Sequence, residues 1–322
     1  MAKVILIALG GNAIKQSNEK GSSEEQFKNC WKTTKHISEI IRNLDDEDRL
    51  IITHGNGPQI GNLMVQQKLS TDKVPAHPMD VVGAMTQGQI GYMLQQTLMN
   101  HLKGMGLNIP VCTILNQVLV DKNDPEFFGD KASKPVGNFL NEEEANEMKE
   151  NNPQYIIKKV KPSGERCWRR TVPSPNPISN LEADVIKKLV DAGVIVIASG
   201  GGGIPVLEDE EGNYKGIEAV IDKDLAGERL AEIVGADIFL ILTDVENAKI
   251  NYGKANEKSL GKITFKEAKQ YFNEKHFLAG SMGPKVNACL RFLKNGGKKA
   301  IITSLDNALE ALQEQSGTII EN

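Results

Sequence analysis

Three glycine-rich segments carry the clearest chemical potential in this sequence: Gly10-Gly11-Asn12, Gly55-Asn56-Gly57-Pro58 and the run of four glycines at 200–203. Glycine lets the backbone come within contact distance of a ligand, and successive N–H groups can then converge on an anion. The second segment leads into a helical pattern, whose N-terminus adds free donors and a partial positive charge suited to phosphate. With Gly61 it also spells GxGxxxG, close to a dinucleotide fingerprint. That fingerprint belongs on the first strand, with an acidic residue at the end of the next strand; here the motif follows the second strand and a helix comes after it. A tight turn is the plain alternative for the first two segments. Four consecutive glycines are entropically costly, which points to a very close backbone approach.

Three lysines stand beside distinctive neighbours: Ser133-Lys134-Pro135, Asp222-Lys223-Asp224 and Ser281-Met282-Gly283-Pro284-Lys285. A lysine acts on phosphate as a movable point charge. Taken singly, each also reads as an exposed lysine or a solvated, helix-opening charge cluster. The Walker pattern GxxxxGK[ST] is absent, as are the HRD and DFG sets of protein kinases, so an ATP site here needs another design. The five histidines show no HxxxH or HExxH spacing, which argues against a zinc site. The four cysteines, Cys30, Cys112, Cys167 and Cys289, form no CxxC pair and read as the reduced thiols of a cytosolic protein.

The elements that must position these groups alternate between apolar runs and helical periodicities. Residues 4–9 read as a buried strand that ends at Gly10. Phe27, Trp31, Thr34, Ile37, Ile41 and Leu44 recur every three to four residues, as on a helix. Residues 50–53 form the strand before the second glycine segment, and Ile60, Leu63, Met64 and Gln67 mark the helix after it. Residues 80–102 read as a long helix with Asp80 as its N-cap. Met85, Ile90, Met93, Leu94 and Leu98 make that helix either a core element or a dimer face. Residues 111–120, 194–198, 238–242 and 299–303 are further strands. Continuous apolar strands alternating with helices indicate a parallel sheet covered on both faces.

From about 121 to 176 the rhythm breaks into a polar, lysine-rich stretch with Pro125, Pro135, Pro153, Pro162, Pro173 and Pro175. Residues 142–151 suit a short exposed helix, and 155–160 with 166–172 suit a hairpin around Pro162-Ser163-Gly164. Phe139, Tyr155 and Trp168 argue for an inserted, folded subdomain rather than a linker. The 322 residues, 40% hydrophobic and 25% charged, hold one large α/β domain or two smaller ones. A net charge of −4 gives no global pull toward nucleic acid or anionic membrane. No apolar run approaches the roughly 20 residues that span a bilayer. The apolar start of the chain is short and runs into Gly10-Gly11-Asn12 rather than a cleavage site, so it is expected to be a strand and not a signal peptide.

Taken in order, these segments resemble the carbamate kinases of the amino-acid kinase fold family, over nearly the whole chain. Ala8 to Ala13 and His54 to Gln59 match the family's first two glycine loops. Ala84-Met85-Thr86-Gln87-Gly88 with Ile90-Gly91-Tyr92 matches its long helix. Ser133 to Gly137 and Arg169 to Pro175 match the protruding subdomain that distinguishes carbamate kinases, while 200–206, 218–224 and 280–285 complete the match.

The resemblance implies a three-layer α/β sandwich with a largely parallel central sheet, a single domain over 1–322 and a small protruding α+β subdomain at 121–176. The N-terminal half would serve the carbamate and phosphoryl side, and about 177–322 the nucleotide. It implies reversible phosphoryl transfer between ATP and carbamate, with ADP and carbamoyl phosphate as the other pair. By resemblance, Lys134, Lys223, Asp224 and Lys285 are catalytic. Gly10, Gly11, Asn12, Gly55, Asn56, Gly57, Gly201 and Gly202 hold the phosphoryl group and carbamate. Thr243, Asp244, Val245, Tyr252, Gly253, Met282 and Gly283 face the nucleotide. Mg2+ accompanies ATP or ADP, held mainly by phosphates with Asp222 near it. A cytoplasmic homodimer working in arginine breakdown, without nucleic-acid or membrane partners, is the further expectation. The alternatives are a kinase of a larger carboxylate and a non-catalytic nucleotide sensor of the same fold.

Overall fold

Strands that are apolar at every position need cover on both faces. The structure is a computed structural model that describes residues 2–16, 18–278 and 281–322; Gly280 and the side chain of Asn12 lie outside the described residues. The N-terminal part runs β1 (Val4–Leu9), α1 (Ser23–Arg42), β2 (Arg49–His54), α2 (Gly57–Ser70), α3 (Met79–Gly104), β3 (Val111–Thr113) and β4 (Gln117–Val120). Then come β5 (Lys134–Leu140), α4 (Glu142–Asn151), β6 (Ile156–Lys159), β7 (Trp168–Val172) and β8 (Pro177–Asn180). They lead to α5 (Ala183–Asp191), β9 (Ile195–Ile197), β10 (Ile204–Glu208), β11 (Tyr214–Gly216), α6 (Lys223–Val234) and β12 (Ile238–Thr243). The C-terminal part holds β13 (Lys249–Ile250), β14 (Lys258–Ser259), β15 (Lys262–Thr264), α7 (Phe265–Asn273), α8 (Met282–Lys294), β16 (Lys299–Ser304), α9 (Ala308–Leu312) and β17 (Thr318–Glu321).

Among the described residues, eight strands form the central sheet in the order β15-β17-β16-β12-β1-β2-β9-β3. Only the β16–β17 pairing is antiparallel. Side chains alternate along each strand. Ile5, Ile7 and Leu9 therefore enter one core with α1, α3 and α9, while Leu6 and Ala8 enter the other with α5, α6 and α8. This is the three-layer sandwich expected from the sequence. Because β1, β2, β9, β12 and β16 run the same way, their C-terminal ends share one edge, where ligands of such sheets bind.

A second sheet has the order β11-β10-β4-β8. The third, β5-β7-β6, stands on α2 and the start of α3 through a small core of Ile60, Met79, Val82, Val136 and Val172. β6 and β7 pair antiparallel, as the hairpin pattern predicts, and β5 joins the other edge of β7 with a register shift between Val136 and Leu140.

Three expectations are corrected. The run 111–120 is not one strand: β3 ends in the central sheet and β4 begins in the second, with a break at Ile114 to Asn116. Asp80 is not the N-cap of the long helix, because Pro78 in extended conformation starts it at Met79. Asp80 instead sits in the first turn, where its charge still suits the helix dipole. Trp31 does not join the core face of α1; it is exposed and lies against His101, with ring centroids 4.0 Å apart.

Candidate active site

Each glycine segment begins where a parallel strand ends. After β1, the Gly10 N–H donates to the Leu242 carbonyl at 2.9 Å, and a side chain at Gly10 would meet that oxygen at the same distance. Gly11 has open space where a side chain would be. After β2, Asn56 is buried and its amide donates to Thr86 Oγ1 at 2.9 Å, which anchors the loop to α3. Pro58 in the first turn of α2 suits that helix start.

The four glycines after β9 were expected to bring backbone close to a ligand. They chiefly bring it close to other loops. A Cβ on Gly200 would lie 2.4 Å from His54 Nε2, one on Gly201 2.2 Å from Asn56 Nδ2, and one on Gly202 2.3 Å from the Ile221 carbonyl. Gly201 and Gly202 also have positive φ, 66° and 97°, which glycine adopts without strain. Ser199 just before them is left-handed as well, at φ 52°. A buried amide network holds it there. Ser199 N–H donates to Asn116 Oδ1 at 2.6 Å, Asn116 Nδ2 donates to Asn180 Oδ1 at 2.9 Å, and Thr53 Oγ1 donates to the Ser199 carbonyl at 3.0 Å. Sequence reasoning missed Asn116, Asn180 and Ser199. The pair of amides Asn116-Gln117 interrupting the apolar run 111–120 is the available signal.

The charged groups converge on the start of α6. Asp222 is its N-cap: Oδ1 accepts from the Asp224 N–H at 2.9 Å, and Oδ2 accepts from Lys134 Nζ at 2.9 Å. Both oxygens of this suggested magnesium neighbour are thus engaged. Asp224 lies deeper, accepting from Lys223 Nζ at 2.5 Å and from Lys285 Nζ at 3.2 Å on its two oxygens. Burial alone would push the Asp224 carboxyl up; the ammonium groups of Lys223 and then Lys285 outweigh it and hold the carboxyl below its ordinary value. His54, fully buried beneath the loops, is brought down to about 4 by that burial, although Nδ1 bonds the Gly55 carbonyl, and Lys223 adds to the depression. It is therefore neutral at pH 7.

Two clefts meet at these residues. One, of about 490 Å³, is lined by Gly55, Asn56, Gly57, Lys134, Arg169 and Gly201 among others. The other, of about 360 Å³, runs over Gly10, Thr243 and Asp244 to Ser304, Leu305 and Asp306. Gly11, Lys223 and Lys285 line both. The sequence had not singled out Ser304 to Asp306, although they follow β16 as Thr243 and Asp244 follow β12. Gly202, Val245, Tyr252, Gly253, Met282 and Gly283 line neither cleft. Met282, the first residue of α8, packs on the core, and Tyr252 is exposed. Among the described residues no three His, Cys, Asp or Glu side chains cluster as a metal site.

The profile of the amino acid kinase family matches residues 3–304. A carbamate kinase of Thermococcus kodakarensis is 55% identical over 318 residues, 98% of each chain, and one of Pyrococcus furiosus is 52% identical over 320 residues, 99% of each. The solved carbamate kinase from Giardia lamblia bound to AMP-PNP superposes with a TM-score of 0.92 at 41% identity, covering 99% of this chain and 98% of that one. With this sheet order, these clefts and this match along its length, the chain belongs to the amino acid kinase family, in its carbamate kinase branch, and is an ATP-dependent phosphotransferase.

Proposed function

We propose that the two clefts hold the two halves of one reaction, ATP plus carbamate giving ADP plus carbamoyl phosphate, and that the transferred phosphoryl group sits where they meet. The observation that carries this reading is the sharing of Gly11, Lys223 and Lys285 by both clefts. Carbamate is already an anion, so its attacking oxygen needs no general base. It needs position, and relief from repulsion by the phosphates. As its oxygen bonds to the γ-phosphorus, the bond to the ADP oxygen breaks, and charge builds on the bridging and terminal oxygens. Lys223 and Lys285 neutralise that charge, and Asp224 fixes both ammonium groups in place.

Backbone N–H groups at Gly11 and Asn12, with Asn56 and Gly57, cradle the phosphoryl group and carbamate; the N–H groups of Gly10 and Gly55 bond the Leu242 and Leu9 carbonyls, and these two glycines hold the loops against β12 and Lys223. Gly201 lets the loop close over Asn56. Lys134 reaches from the inserted subdomain, 121–176, to the carbamoyl end. The nucleotide lies over residues 177–322, past Thr243 and Asp244. Magnesium, when bound with the nucleotide, would offset phosphate charge; Asp222, with both oxygens engaged by Lys134 and the Asp224 N–H, would stand near it rather than serve as a primary ligand. The test mixes ADP and carbamoyl phosphate and measures ATP. Intact ADP binding with no ATP formed would favour a nucleotide sensor instead.

A homodimer through α3 belongs to the same reading. Met85, Tyr92 and Met99 recur every seven residues on one stripe and are exposed, beside exposed Leu115. Ile90, Met93, Leu94 and Leu98 occupy the opposite, core-facing side. Sedimentation should give twice the chain mass, and Tyr92→Asp should reduce it to one; a monomeric parent would sink this assignment. ATP formation in arginine breakdown belongs to the same reading too, in the cytoplasm, where free cysteines such as these four stay reduced; no helix among the described residues is long and apolar enough to cross a membrane.

A further inference from the structure

Strand β7 places two consecutive arginines on opposite faces of the three-stranded sheet. Arg170 turns away from the catalytic cleft. Its guanidinium pairs with Glu218 and lies 3.5 Å over the Tyr155 ring, against a separate cavity of about 790 Å³ under α2. Arg169 turns into the catalytic cleft, beside Lys134 and Asn56.

The charges around Arg169 are uneven. Lys134 has Asp222, and Lys223 and Lys285 share Asp224. Among the described residues, Arg169 is the one cation lining this cleft with no carboxylate in ion-pair contact. Among the described residues its guanidinium makes one hydrogen bond, from Nη2 to the Gly137 carbonyl at 2.8 Å, and lies 5.1 Å from the Phe139 ring centroid. Nε is buried without a partner, as is that of Arg170, so the contrast rests on the cleft and the missing carboxylate. Burial lowers the Arg169 pKa, the direction expected of a desolvated cation, yet a guanidinium stays charged. The guanidinium lines the cleft half-buried, so its terminal N–H groups that make no protein contact can pass from water to an anion that enters. Arg169 lines the acceptor cleft and not the cleft that carries Thr243 and Asp244.

We propose that Arg169 binds the acceptor itself, donating from its terminal N–H groups to the planar O–C–O unit of carbamate and to the carbamoyl end of carbamoyl phosphate. This rests on the carbamate reading of the cleft and adds to it a residue that sets acceptor affinity. Carbamate spreads its charge over two oxygens in one plane, which a guanidinium matches in a way an ammonium cannot. The competing role is structural: Arg169 holds the Gly137 carbonyl across the irregular β5–β7 pairing and touches no substrate.

The test uses the whole enzyme in the ATP-forming direction, varying carbamoyl phosphate and ADP separately. Arg169→Ala should raise KM for carbamoyl phosphate roughly ten- to hundredfold, the loss expected for hydrogen bonds to a charged group. KM for ADP should stay within about twofold, since the lost contact is on the other substrate. Added guanidinium ion should recover part of the loss, and Arg169→Lys should recover less than full affinity because it lacks the fork. Equal rises in both KM values, no rise in either, or a lowered melting temperature without rescue by guanidinium would overturn the proposal in favour of the structural role. If the unaltered enzyme forms no ATP, the carbamate reading itself fails, a result distinct from an active enzyme indifferent to Arg169.

Discussion

On the floor of the cleft the Asp224 side chain is 3% exposed and holds Lys223 and Lys285; at the rim Asp222 is 19% exposed and holds Lys134, itself 35% exposed. The two carboxylates are two residues apart at the start of one helix. One caps it and faces the inserted subdomain, while the other turns inward. On the floor, water cannot stand in for a missing partner, so removing one ion leaves another buried and unpaired, at a cost of several kcal/mol. At the rim, solvent takes over when the pair opens, and such a pair is worth about 1 kcal/mol or less. The floor is therefore a fixed arrangement of charge, ready before substrate arrives. The rim is an exchangeable contact that a ligand can take over.

The largest effects should come from attacking the floor. Asp224→Asn leaves two ammonium groups without their shared anion and should cost about 3–5 kcal/mol of stability, read by urea unfolding at neutral pH. Lys223→Ala and Lys285→Ala should each lower turnover by about 10²–10³, the usual cost of losing one preorganised charge donor. Near-normal turnover in either lysine variant would break the comparison, because the floor would then be structural. The sign for Asp224 follows from its depressed carboxyl. Its stabilising contribution is present above the ordinary carboxylate range and is lost as the pH falls through the lower, folded value.

His54 gives a second way to sharpen the contrast. Its folded value of about 4 lies below its ordinary 6.5, so the unfolded chain binds the extra proton first. Stability should therefore fall as the pH drops from about 6.5 to about 4, by roughly 3 kcal/mol over the window. His54→Asn should flatten that slope in urea unfolding at a series of pH values. An unchanged slope would mean that the floor is wetter than its burial implies.

The contrast also separates what the sequence makes legible from what it hides. β1, β9 and β12 are readable because each is apolar at nearly every position, and β2 and β16 because each carries an unbroken apolar run, 50–52 and 300–302; a two-faced sheet satisfies both patterns. The glycine segments are readable because their demand is local. Asn116 is not, since its role depends on a chain crossing from one sheet to another and on Ser199, 83 residues away. Ser304 to Asp306 join the second cleft only because β16 lies beside β12. Arg169 and Arg170 are indistinguishable as letters, and only the side of β7 that meets the cleft tells them apart. The difference between Asp222 and Asp224 belongs to the same class: two acids flanking one lysine at a helix start, given different work by depth.

The smallest expected effect tests the rim. Asparagine caps a helix about as well as aspartate, so Asp222→Asn keeps the acceptor for the Asp224 N–H while removing the charge that holds Lys134. Stability should change by no more than about 1 kcal/mol. Lys134 is then free of its resting partner, and KM for carbamoyl phosphate should shift only severalfold, with the magnesium concentration for half-maximal rate unchanged. A rise of about tenfold or more in that magnesium requirement would make Asp222 a metal ligand, since replacing a carboxylate by an amide weakens a hard cation's site far more than it weakens an exposed ion pair. The rim would then be fixed by the metal when substrate binds, and its difference from the floor would hold only for the ligand-free enzyme.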